Sequence, residues 1–112
     1  MRDTITIDDF EKVDMRIGKI IAAEINKKAK KPAYKLTIDF GGEIGVKTSS
    51  AQLTELYGFD ELIGTQIIVV VNFPPRKVAD VLSEVLVLGC DSGQGIVLIR
   101  PDRTVEEGIL IL

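Results

Sequence analysis

The sequence predicts an all-β fold, a five-stranded Greek-key barrel with one short helix after the third strand and an extension at each terminus. Three observations predict it. The apolar residues fall into strands of a few residues each, separated by glycine, proline and polar turns. One of these strands, Ile67-Ile68-Val69-Val70-Val71, is β-branched throughout and keeps no polar row for water, which reads as a strand buried on both faces. Gly18 lies inside another strand, where a glycine marks the bulge or sharp bend that a small closed barrel requires.

Taken in order, the chain begins with a short helix over Thr6-Ile7-Asp8-Asp9-Phe10-Glu11-Lys12-Val13. Thr6 caps it, Asp8 and Asp9 suit its positive first turn, and Phe10 packs inward. Residues 13–24 form a long first strand carrying Met15, Ile17, Ile20 and Ile21. Asn26-Lys27-Lys28-Ala29-Lys30-Lys31-Pro32 is a basic loop. Tyr34, Leu36, Ile38 and Phe40 alternate with polar residues, so the second strand is half-buried with those four on one face. Gly41-Gly42 turns the chain, and residues 43–47 return as the third strand.

Thr48-Ser49-Ser50 can cap a helix running to Tyr57, with Gln52 three residues after Ser49 as in a capping box, and Gly58 to end it. Residues 60–64 are a second short turn or helix. The continuous apolar run then ends at Asn72, because Pro74 and Pro75 remove two backbone donors and force the chain out of the sheet. Arg76 and Lys77 follow at once. Val78-Ala79-Asp80-Val81-Leu82 continue as loop. Residues 83–90 form the fifth strand, ending in a buried and inert Cys90. Residues 91–95 are a glycine-rich turn before the strand Ile96-Val97-Leu98-Ile99. Ile109-Leu110-Ile111-Leu112 is too apolar to lie free in water, since burying such side chains is worth about 1.5–3 kcal/mol each. It is expected to pack on the N-terminal segment of its own or a second subunit, giving a two-fold homodimer.

Strand, strand, strand, helix, strand, strand is the element order of the OB-fold, whose ligand loops join strands one to two and four to five. Here those loops are residues 26–32 and 73–82, which carry Lys27, Lys28, Lys30, Lys31, Arg76 and Lys77. The fold therefore brings cations that are remote in sequence to one rim. On local pattern alone, Arg76 and Lys77 are equally two solvated charges beside a proline turn.

Composition excludes much else. The 112 residues fit one domain, 1–112, with 46% hydrophobic residues for its core. The formal net charge of −3 argues against a bulk basic field and leaves a local basic groove open. There is no histidine, and Cys90 is the only cysteine, so no intrachain disulfide, cysteine–histidine zinc site or histidine-based catalytic group can form. Gly93-Gln94-Gly95 lies in a hairpin, not between a strand and a helix, so it is no nucleotide-binding fingerprint. No enzyme activity, metal or cofactor is expected. No signal peptide or membrane-spanning run is visible, and a cytoplasmic protein without membrane insertion is expected.

Asp14-Met15-Arg16-Ile17-Gly18-Lys19-Ile20 has the pattern D-x-R-[IV]-G-x-[IV], and it is followed by Val71-Asn72-Phe73-Pro74-Pro75-Arg76-Lys77 and Ser83-Glu84-Val85-Leu86-Val87-Leu88-Gly89. In this order these motifs resemble the tRNA-binding OB-domain family, found appended to methionyl- and phenylalanyl-tRNA synthetases and as free-standing proteins. Lys47-Thr48-Ser49-Ser50-Ala51-Gln52, Ile38-Asp39-Phe40-Gly41 and Pro32-Ala33-Tyr34-Lys35-Leu36 are similar to one branch of it, the CsaA proteins, small homodimers described as export-related chaperones. Lys30-Lys31-Pro32-Ala33 stands where the synthetase domains carry an Asn-Ala-Asp-like sequence, which favours the CsaA branch. Asp80 stands where glycine is usual and sets an acid in a phosphate-facing loop.

The resemblance implies a nucleic-acid face around Arg16, Lys47, Ser49, Asn72, Arg76, Lys77 and Ser83, to which the basic loop adds Lys30 and Lys31. Arg76 and Lys77 suit phosphates, the first in two-point geometry and the second as a point charge. Asn72 and Ser83 suit a base or ribose edge. Ser49 is either a ligand or a helix cap, and Arg16 either faces nucleic acid or pairs with Asp14 or Glu84. A chaperone needs exposed apolar surface, for which Phe73, Val78, Val81 and Leu82 are the candidates. The alternative for Phe73 is to plug the barrel, and for the other three to cover its mouth. The expected ligands are thus tRNA or another structured RNA together with unfolded, export-bound polypeptide; the alternative is tRNA alone, without a chaperone role.

Overall fold

The computed structural model describes all 112 residues. Two short helices, α1 (Ile7–Glu11) and α2 (Phe59–Leu62), accompany nine strands: β1 (Met15–Ile25), β2 (Tyr34–Asp39), β3 (Val46–Ala51), β4 (Gln66–Val70), β5 (Arg76–Val78), β6 (Val81–Ser83), β7 (Leu86–Val87), β8 (Gly89–Asp91) and β9 (Ile96–Leu98). The main sheet has the order β3-β2-β1-β4-β7, and β5-β6 and β8-β9 are separate hairpins. This is an antiparallel, nearly closed OB-like barrel, as expected.

β1 makes the closure possible. Its first half pairs with β4 (Met15↔Val70 to Lys19↔Gln66), and its second half pairs with β2 (Lys19↔Asp39 to Ile25↔Tyr34). Between Ile20 and Ala22 the register to β2 shifts, so Ile21 is the extra residue and bends the strand. The bulge expected at Gly18 therefore lies three residues later. Gly18 serves close packing instead: a Cβ there would sit 2.5 Å from Ile38 Cγ2 and 2.7 Å from Phe40 Cε1.

The alternation in β2 is realised as read, with Tyr34, Leu36, Ile38 and Phe40 buried. With Ile20, Leu53, Leu62, Ile67 and Val69 they fill the barrel. Tyr34 donates its hydroxyl to the Tyr57 carbonyl at 2.7 Å, and the Tyr57 hydroxyl accepts from Leu98 N–H at 3.0 Å, so the buried phenol and the half-buried one are both satisfied. Thr6 caps α1 as expected, in a reciprocal arrangement with Asp9.

Three expectations are corrected. Thr48-Ser49-Ser50 does not begin a helix; these residues lie in β3, paired with β2 from Tyr34↔Ala51 to Asp39↔Val46. Hydroxyl side chains serve caps and strands equally well, and here the six-residue ladder wins over a local cap. The helix after the third strand is α2 alone, at the place where a second short turn or helix is expected over residues 60–64, and Gly58 precedes it instead of ending a helix over 48–57. The strand expected over residues 83–90 is broken into β6, β7 and β8, because the chain changes partner from β5 to β4 to β9. Cys90 consequently lies on the outer hairpin and is exposed, not buried.

Cross-barrel bonds bring β3 to the segment around β6. Glu84 N–H donates to Thr48 O at 2.8 Å, Ser49 Oγ to Val85 O at 2.9 Å and Ser50 N–H to Ser83 Oγ at 3.1 Å. The C-terminal segment docks on the free side of β1: Gly108 N–H bonds to Ile17 O, Ile17 N–H to Ile109 O, and Ile111 N–H to Met15 O. Its backbone is thereby satisfied while Ile109 and Leu110 each remain 48% exposed. No helix is long and apolar enough to cross a membrane.

Candidate nucleic-acid interface

The loop between β1 and β2 and the β5–β6 hairpin meet at one end of the barrel. Asn26, 6% exposed, joins them: its Nδ2 donates to Val78 O at 3.2 Å and to Ser50 Oγ at 3.4 Å. Lys28 Nζ reaches Asp80 Oδ2 at 3.0 Å across the same junction. Between the two segments runs a groove of about 510 Å³ lined by Lys28, Lys30, Lys31 and Arg76, with Ser50 and Gln52 in its wall. Cations 45 or more residues apart in sequence thus share one concavity. Lys30, Lys31 and Arg76 make no ion pair with any carboxylate. Low positions of like charge around a concavity raise the local potential even on a chain of negative net charge.

The residues 73–82 segment is an ordered hairpin and not an irregular loop. Arg76 pairs with Ser83, Lys77 with Leu82 and Val78 with Val81. The turn is Ala79-Asp80, with Ala79 at φ 54°, the one non-glycine residue in the left-handed region. Side chains alternate along β5, so Arg76 faces the groove and Lys77 faces away, beside the exposed Leu82.

The other residues named from the sequence have partners within the chain. Arg16 donates Nε to Asp14 Oδ1 at 2.6 Å and a terminal nitrogen to the Gly108 carbonyl at 3.1 Å. Its hydrogen bond to Asp14 outweighs the effect of burial and pushes the guanidinium pKa up. Of the alternatives left open by the sequence, Arg16 takes the Asp14 pair. Ser49 is 1% exposed, with its hydroxyl on Val85 O, so it is out of reach of a ligand. Ser83 Oγ lies 3.3 Å from Ser49 Oγ and accepts from Ser50 N–H. Asn72 accepts from Asp14 N–H at 3.0 Å and donates to Lys12 O at 2.7 Å, tying α1 to the end of β4. Lys47 sits 3.9 Å from Glu84 on the β3 side of the barrel, outside the groove.

The apolar candidates divide as well. Val81 is 5% exposed and Val78 half-buried, so neither presents a free apolar surface. Phe73 does not plug the barrel: it is 50% exposed, because the diproline carries the chain outward before the hairpin begins. Phe73, Pro74, Pro75 and Leu86 line a second groove of about 490 Å³ on the flank of the first, sharing Arg76 with it.

Sequence reasoning missed Asn26 as the tether, and Ser50 and Gln52 as wall residues. Lys28 was visible within the lysine run. Nothing local in the sequence distinguishes an asparagine whose partner is a carbonyl in a distant hairpin.

The chain matches the family described as tRNA binding domain over residues 15–110. Among curated proteins it is 40% identical over 111 residues to a methionine–tRNA ligase of Methanococcoides burtonii, covering 98% of this chain and 16% of that protein. It therefore spans only a small fraction of such ligases. Among solved structures it resembles a CsaA chaperone protein from Picrophilus torridus, with 52% identity and a TM-score of 0.92 over 97% of this chain and 100% of that one. A CsaA chaperone from Bacillus anthracis gives 46% identity and a TM-score of 0.90, over 98% of this chain and 100% of that one.

Proposed function

The chain belongs to the tRNA-binding domain family, and on that premise we propose that it binds tRNA or another structured RNA along the groove between the β1–β2 loop and the β5–β6 hairpin. One observation carries this reading: Lys28, Lys30, Lys31 and Arg76 line one concavity although the fold delivers them from two remote segments. Arg76 offers a planar fork for two-point contact with a phosphate, and the lysines act as point charges along the backbone. Lys77, on the far face of β5, contributes to the field and not to the groove wall. Arg16, Ser49, Asn72 and Ser83 act by holding the barrel and its loops in place. Nothing in the chemistry of the groove calls for a catalytic group or cofactor.

A second activity is favoured by a separate observation. Phe73 and Leu86 are 50% and 47% exposed and line the groove that flanks the basic one. A small protein gains nothing in stability from apolar side chains left in water. We infer that this flank holds unfolded, export-bound polypeptide, the chaperone role that the likeness to the CsaA proteins suggests. Exposed Ile109 and Leu110 supply the apolar strip for a second copy of the chain, and a dimer would place two basic grooves on one particle.

A salt-titrated competition between tRNA and an unfolded polypeptide tests both roles on one sample. Contacts to three or four phosphates give a slope of log affinity against log salt of about −2 to −4. Polypeptide held on apolar surface is expected to respond weakly to salt. tRNA binding that is absent at low salt removes the first role, and an unfolded client that aggregates as fast with the protein as without it removes the second.

A further inference from the structure

An acid stands at the rim of the groove. Asp80 sits at the tip of the β5–β6 hairpin, and its Oδ2 lies 3.0 Å from Lys28 Nζ on the opposite wall. The groove lining itself includes four cations and no carboxylate, so Asp80 is the acid that reaches in from the rim. Resting on the groove reading above, we propose that Asp80 is a built-in competitor: its carboxylate occupies Lys28 in the free protein and must be displaced by a phosphate when RNA binds.

Three features make it a competitor and not a strut. The pair is open to solvent, with side-chain exposures of 71% for Lys28 and 60% for Asp80. An exposed pair of this kind contributes little to stability and is readily exchanged for another anion. The hairpin is also held to the loop independently, by Asn26 Nδ2 on Val78 O, so the groove keeps its shape when the ion pair opens. Finally, Asp80 follows Ala79, which lines the groove, so the acid stands at the groove's edge, within reach of an incoming phosphate.

The consequence is a groove tuned below its full affinity. RNA binding exchanges a carboxylate–ammonium contact for a phosphate–ammonium contact, and one negative charge stays at the rim to repel the incoming backbone. Removing that charge leaves Lys28 free before binding. At a separation of a few ångströms near the surface, the gain is roughly 3- to 10-fold in affinity at low salt, shrinking as salt screens it.

The test uses the full chain and bulk tRNA, followed by fluorescence anisotropy at 50 and 200 mM salt. Asp80→Asn is compared with Asp102→Asn, which removes the same charge from a 98% exposed side chain that lines no part of the groove. Asp80→Asn is expected to bind several-fold more tightly than both wild type and Asp102→Asn, with the advantage falling at higher salt. Lys28→Gln is expected to weaken binding more in the Asp80→Asn background than in wild type, which shows that the two side chains act through each other. Urea unfolding of Asp80→Asn is expected to match wild type. If wild type binds tRNA in a salt-dependent manner and Asp80→Asn is no tighter than Asp102→Asn, the competitor is overturned and the groove stands. If none of the proteins binds tRNA at 50 mM salt, the groove itself falls and the competitor with it.

Discussion

Asn26 donates its side-chain amide to the carbonyl oxygen of Val78 at 3.2 Å, although the two residues are 52 positions apart. The amide is nearly buried, and it lies where the lysine-bearing loop meets the hairpin that carries Arg76. It is the neutral contact that holds two charged segments at a fixed separation. Asn26→Ala is expected to lower stability by about 1–3 kcal/mol, since it leaves Val78 O without its donor. It should also weaken tRNA binding several-fold while removing no charge. Unfolding in urea and anisotropy on the same variant read the two effects; a loss of stability with unchanged affinity would show that the loops do not need the tether to form the groove.

Ser49 and Arg16 were named from the sequence as contacts to nucleic acid, and the structure gives each an internal partner. Ser49→Ala is expected to cost about 1–2 kcal/mol through the lost bond to Val85 O, with tRNA affinity unchanged. Arg16 has its pKa raised by Asp14. A group raised in the folded state contributes stability that is present at every pH below its unfolded value and is lost only as pH climbs through the raised one. For a guanidinium that window is strongly alkaline, so Arg16 adds no pH dependence to stability between pH 5 and 9 (about the range where proteins are handled). Arg16→Gln should therefore lower stability by a similar amount at pH 6 and pH 8 in parallel urea titrations.

Ala79 carries a side chain where the backbone turns left-handed, at φ 54°. That conformation costs a non-glycine residue roughly 1 kcal/mol, and glycine avoids it at the expense of a more flexible unfolded chain. Ala79→Gly is expected to raise stability by at most about 0.5 kcal/mol, the relieved strain less about 0.4–1 kcal/mol of added unfolded-state entropy, and to leave the hairpin register intact. A lower melting temperature for this variant would mean that the Ala79 methyl group, which faces the groove wall, contributes more by packing than it costs in strain.

Much of the barrel was legible because particular residues leave the chain one option. Tyr34, Leu36, Ile38 and Phe40 alternate with no exception, and Ile67 to Val70 offer water no polar face, so β2 and β4 follow directly. The meeting of the two basic segments followed from the element order alone. What escaped was set by distant partners. Thr48, Ser49 and Ser50 satisfy a helix cap or a strand equally, and only β2 on one side and Ser83 to Val85 on the other decide. The run from Ser83 to Cys90 has only Gly89 to announce that it changes partner twice, from β5 to β4 to β9, and a strand read straight through it buries Cys90. Nor does any local pattern pair Lys28 with Asp80.

The convergence of charge on one groove is tested most directly by the salt dependence of tRNA binding to Lys30→Gln/Lys31→Gln/Arg76→Gln. The comparison is with wild type and with Lys12→Gln/Lys19→Gln, whose cations pair with Asp9 and Glu107 away from the groove. Each phosphate contact contributes about 0.7–0.9 to the slope of log affinity against log salt. The groove variant is expected to bind more weakly with a slope smaller by about 2–3, while the control stays within a factor of a few of wild type with its slope unchanged. A groove variant that keeps the wild-type slope and affinity would contradict the account.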